Sequence, residues 1–225
     1  MMDIAKKLSD ELKETLKDDL IGVISYGEKS NKVSSLLLVL EAVTKENLAK
    51  MRAPIQEALK KKSIGIITLT EKELQQSADV FPIKFRTIQK YGTLLIGENP
   101  LDTLSIEVAH LRLRCEQELR NLSLRLRQTY LQRNLNSDEK ISLLLSCADK
   151  LEQNLLILAE LKEEKTDLDF TEAEKVLKKM DLNLSIIKEI RNAFKNNITQ
   201  KEQVDVIYHK FREMVDLGTN VVDQL

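Results

Sequence analysis

The sequence predicts an α/β (α+β) sheet domain followed by an all-α helical bundle, and three observations carry that division. Short apolar runs alternate with helical periodicities through the first hundred residues. Beyond Asp102 glycine is absent until Gly218, and proline is absent altogether. Arginine occurs only at 52 and 86 in the first hundred residues, then six times between 112 and 133. The predicted domains are 1–101 and 102–225.

In the first domain Ile4, Leu8, Leu12 and Leu16 recur every fourth residue among charges, the mark of an amphipathic helix over 3–17. The run 20–26, LIGVISY, is short and rich in branched residues, so it reads as a strand. The run 34–40, SSLLLVL, is apolar on both faces, as a central strand would be. Thr44 is the expected N-cap of a helix reaching Lys61, in which Pro54 predicts a kink or a break. A third strand follows over 63–70. Thr70 and Glu73 then have the spacing of a capping box, opening a short helix. From Asp79 to Leu101, Pro82, Gly92, Gly97 and Pro100 predict an extended, turning segment.

The second domain is striped. Leu104, Val108, Leu111, Cys115, Leu119, Leu122 and Leu126 follow a 4-3 rhythm, and Ile141 to Leu158 repeat it. Val176 with Met180, Ile187 to Phe194, and Val204 to Val221 continue in kind. Ser137 and Thr171 are the expected N-caps after the connecting loops. Each stripe must be buried against another, which requires four or five packed helices.

A net charge of −1 excludes a broad electrostatic attraction to nucleic acid or anionic lipid. Scarce aromatics and the absence of tryptophan argue against a base-stacking platform. No apolar run has the length of a signal peptide or a membrane span, so a cytoplasmic location without membrane contact is expected. Cys115 and Cys147 lie outside any CxxC pattern and read as reduced core thiols. With only His110 and His209, no metal centre of the His/Cys type is expected, nor any cofactor.

The stretch 25–40, SYGEKSNKVSSLLLVL, places a glycine turn, a short polar segment and an apolar strand in succession. Nucleotidyl transfer needs a glycine turn whose N–H groups hold a triphosphate, and two aspartates at i and i+2 on the next strand. Together such aspartates hold divalent metal for in-line attack. The stretch resembles the minimal nucleotidyltransferases of the DNA polymerase beta superfamily, whose motif runs G-S, a polar stretch, then S-D-x-D and apolar residues. Gly27 matches the glycine and Ser34 the serine before the first aspartate, while Leu38 and Val39 match the apolar tail. Glu28 replaces the motif serine, and Ser35 and Leu37 replace the two aspartates. The resemblance covers about residues 10–133 and implies a vestigial nucleotide site at Gly27, Ser34, Ser35 and Leu37, without catalytic residues. Glu41 is no substitute, since it stands about 13 Å along the strand from Leu37.

The helical half resembles the HEPN-like domains that follow such modules. Arg191 matches the arginine of an R-x(4–6)-H motif, but Asn196 or Asn197 falls at the histidine position and cannot exchange a proton near neutral pH. Arg112, Arg120 and Arg127 lie within about 80° of one another on one helix, a row of forks suited to carboxylate or phosphate. They are candidate partner-binding residues, and intrahelical pairing of Arg120 with Glu116 is the alternative. Missing carboxylates predict a non-catalytic binding, regulatory or scaffolding protein with a protein partner. The alternatives are a residual nucleotidyltransferase or nucleotide-binding protein, and a nucleic-acid-associated module using the arginine row.

Overall fold

The computed structural model describes residues 2–27, 34–61, 63–132 and 134–225. The chain divides into two compact units, Met1–Glu107 and Val108–Leu225.

In the first unit α1 (Met2–Leu16) leads through a single 3-10 turn into β1 (Leu20–Gly27) and β2 (Ser34–Leu40). Helix α2 (Lys45–Lys61) crosses to β3 (Gly65–Thr70), followed by α3 (Glu71–Gln76), α4 (Pro82–Tyr91) and β4 (Thr93–Gly97). The four strands form one sheet in the order β3-β2-β1-β4. β1 is antiparallel to both β2 and β4, whereas β2 and β3 are parallel and joined by α2. Period-2 geometry sends Leu36, Leu38 and Leu40 to one face, where they pack against Leu8 and Leu12 of α1 and Met51 of α2. Leu37 and Val39 go to the other face, against Leu74 of α3 and Phe85 and Ile88 of α4.

One expectation fails here and another is narrowed. The segment read as extended contains α4, a ten-residue helix with Pro82 in its first turn. A proline there loses no bond, because the first-turn N–H groups have no intrahelical acceptor, and its fixed φ suits the helix. Pro82 is thus a start signal. Of the kink or break expected in α2, the break is absent, and the helix runs through Pro54. The carbonyl that Pro54 leaves without its N–H belongs to exposed Lys50, where solvent replaces the lost bond. Gly97, at φ +77°, closes β4 against β1; a Cβ there would lie 1.9 Å from the Ile21 carbonyl oxygen, so only glycine fits.

The second unit contains α5 (Val108–Gln132), α6 (Ser137–Glu163), α7 (Phe170–Lys179), α8 (Ser185–Lys195) and α9 (Lys201–Asp223). The stripe on α6 is buried from Ile141 to Leu158, and α5 contributes Leu111, Cys115, Leu119, Leu122 and Leu126. Val108 and Phe194, counted in stripes from the sequence, are exposed, and Leu104 belongs to the core of the first unit. The caps are Asn136 and Asp169, not Ser137 and Thr171. Each pairs with a glutamate three residues on, Glu139 and Glu172, in a reciprocal capping box.

Candidate functional site

The positions matched to the two aspartates lie where β2 crosses the middle of the sheet. Ser35 pairs with Tyr26 on β1 and Gly65 on β3; Leu37 pairs with Ile24 and Ile67. Leu37 is 0% exposed, and its surroundings are the apolar residues of α3, α4 and the chain around Leu101 and Leu104. Gln89 of α4 fastens that chain by donating to the carbonyls of Leu101 and Leu104 at 3.1 and 2.9 Å. Ser35 is half-buried, and a Cβ added to Gly65 would come within 2.7 Å of its Oγ. Gly27 ends β1 exposed and stands opposite Ser34. Glu28, the replacement for the motif serine, lies outside the described residues.

These residues do not fit the divalent metal that the resemblance to nucleotidyltransferases implies. Leucine offers no lone pair, Ser35 offers one neutral hydroxyl, and Gly65 and Ile67 on β3 offer nothing. Glu41 is exposed beyond the end of β2, its N–H donating to the Asp19 carbonyl at 3.0 Å. Among the described residues, no group of three or more His, Cys, Asp or Glu side chains is placed to hold a metal ion.

Helix α4 ends beside β1: a Cβ on Gly92 would meet Ile24 Cγ2 at 2.8 Å, and Thr93 pairs with Ser25. Arg86 and Lys90 lie one turn apart on α4 and are both half-buried. Lys90 Nζ lies 5.6 Å from the centroid of the Tyr91 ring. Arg86 and Lys90 both lie in the segment that the sequence predicts as extended, so neither stands out as a site residue there. Recognising Pro82 as a helix start would have found them.

The arginine row is engaged within its own unit. Arg120 Nη2 meets both carboxylate oxygens of Asp223 at 2.7 Å, and its Nε donates to Glu116 at 3.0 Å. These contacts, the Glu116 hydrogen bond foremost, push the guanidinium pKa up. Arg127 donates to Asp216 at 2.8 Å, and Arg112 lies 3.6 Å from Glu116 with a long bond to the Val222 carbonyl. The row fastens α5 to α9.

Arg191 has a similar fate. It donates at 2.7 Å to both Asp149 and Glu152, tying α8 to α6. Burial alone would lower its pKa, but the two carboxylates hold it raised. Asn196 only caps α8. His110 is half-buried on α5, and His209 packs edge-on to the Tyr130 and Tyr208 rings. Both cysteines are buried and unpaired. Burial, then the nearby Glu118, pushes the Cys115 thiol up to about 12, so it stays neutral and unreactive at ordinary pH. No helix among the described residues is long and apolar enough to cross a membrane.

No protein-family model matches the sequence, and no curated protein does either. The fold is similar to that of a solved structure, spectinomycin adenyltransferase from Enterococcus faecialis with ATP and spectinomycin. The TM-score is 0.50 at 14% identity, over 96% of this chain and 99% of that one. The chain thus has a nucleotidyltransferase-like α/β fold followed by a helical region. This finding overturns the expectation of a non-catalytic binding, regulatory or scaffolding protein. The architecture of nearly the whole chain is shared with an enzyme, and two missing carboxylates read from sequence do not amount to a scaffold.

Proposed function

We propose that this chain is a nucleotide-binding protein of the nucleotidyltransferase fold, with residual transfer activity and a degenerate metal position. The observation that carries the reading is the architecture shared, across both units, with an adenyltransferase solved with ATP. Leu37 forbids the usual placement of phosphate, because burying uncompensated charge beside an apolar side chain is costly. The phosphates are therefore assigned to the open end of the sheet. There Ser35 supplies a hydroxyl, β1 ends at Gly27, and Arg86 and Lys90 of α4 supply positive charge. The helical unit takes no RNase role in this reading, since Arg191 is held by two carboxylates and no histidine accompanies it.

Calorimetric titration with ATP, with magnesium and with EDTA, tests the reading. The expected result is saturable binding whose affinity changes little on chelation. The double variant Arg86→Ala, Lys90→Ala is expected to weaken it by about tenfold or more. Absence of saturable binding up to about 5 mM nucleotide would sink the proposal, as would a site that vanishes with EDTA. Pyrophosphate release from ATP, measured in parallel, reports the residual transfer and should be slow and equally insensitive to chelation.

A further inference from the structure

The helical unit holds a cavity of about 350 Å³ at the end where α5 stops and α6 and α9 begin. That volume falls at the lower end of small-molecule sites. Lys201, Asp205 and Tyr208 form one wall, at helical spacing along α9; Tyr130, Asn134 and Lys140 form the other. Tyr208 is buried and locked, its hydroxyl donating to the Leu126 carbonyl at 2.8 Å. The Tyr130 ring is half exposed and braced from behind, 5.7 Å from Tyr208 and 5.8 Å from His209 between centroids. It is a fixed aromatic platform with an open face.

The charged residues lining it are two lysines and one aspartate, with Glu202 in the first turn of α9 beside them. Lys140, only 13% exposed, is paired with Asp205, and the pair neutralises itself. Lys201 has no ion-pair partner among the described residues. It opens α9, a 23-residue helix whose N-cap, Gln200, makes no side-chain capping bond. The first-turn N–H groups beside Lys201 thus lack the acceptor that Asn136 and Asp169 give to α6 and α7. Asn134, whose side chain makes no hydrogen bond among the described residues, adds one amide donor and one acceptor.

We propose that this cavity binds a nucleoside monophosphate. The base lies on Tyr130 with its edge toward the Asn134 amide, and the phosphate lies at Lys201 and the start of α9. One unpaired lysine, one platform and about 350 Å³ suit one ring and one phosphate group, and leave no room for a triphosphate's charge. The site lies wholly within the helical unit and is independent of the one proposed at the sheet.

Titration of the full chain with AMP, adenosine and ribose 5-phosphate, read by calorimetry and by the Tyr130 ring resonances, tests it. AMP is expected to bind saturably and to shift those resonances, while each half-molecule binds about tenfold more weakly or worse. Lys201→Glu, a surface change, should weaken AMP about tenfold without lowering Tm, and Tyr130→Ala should weaken it as much while losing the ring contacts to Tyr208 and His209. Tyr130→Phe should retain binding. Arg86→Ala with Lys90→Ala should leave AMP binding here unchanged, which separates this site from the first. The proposal is overturned if AMP does not saturate below about 10 mM. Equal affinity for adenosine, or indifference to Tyr130→Ala and Lys201→Glu, would overturn it as well.

Discussion

The two faces of β2 carry almost the same side chains for different reasons. Leu36, Leu38 and Leu40 meet α1 and α2 as any central strand meets its covering helices. Leu37 and Val39 meet α3 and α4 at positions where the related motif has a carboxylate and its apolar tail. The two faces are equally dry at their centres, with Leu36 and Leu37 both at 0% exposure. Toward the start of β2 the second face also carries Ser35, which stays half-buried. The position matched to the second aspartate is therefore core, whereas the one matched to the first keeps a polar group partly open.

The largest test of this comparison is Leu37→Asp beside Leu36→Asp. If both positions are core, each variant buries an unpaired carboxylate and should lose about 4 kcal/mol or more in denaturant melts, or fail to fold. A cost below about 1 kcal/mol at Leu37 alone would show that its face opens to water. Leu37→Ala, milder, should then cost about 2–5 kcal/mol, the range for a cavity in packed surroundings.

A smaller effect concerns Ser35. Gly65→Ala places a methyl 2.7 Å from Ser35 Oγ, which must rotate away. The expected cost is about 1 kcal/mol, and most of it should disappear in a Ser35→Ala background. Equal costs in both backgrounds would mean that the hydroxyl and the glycine do not touch.

The smallest effect belongs to the helical unit. Changing Arg112, Arg120 and Arg127 together to alanine removes the ties from α5 to Asp216 and Asp223 of α9, and the pairs with Glu116 within α5. A modest fall in Tm is expected, and the gap from wild type should narrow as salt is added, because exposed ion pairs are screened. An unchanged Tm with loss of a salt-sensitive binding partner would return the row to the role of a docking surface.

The sequence by itself determined the strands β1 and β2, the helical stripes and the Thr70 capping box, because these follow from neighbours within a few residues. Period-2 alternation along β2 likewise puts Ser35 and Leu37 on one face, whatever packs against it. The helix α4 was legible too, had Pro82 been read as a beginning. Only the tertiary structure decided that Leu37 is sealed, that Asp149 and Glu152 claim Arg191, and that the arginine row answers to α9. Each depends on partners tens of residues away, and a one-dimensional pattern carries no information about which distant carboxylate or helix closes over a given side chain. The Tyr130 platform, likewise, exists only because α9 brings Tyr208 and His209 behind it.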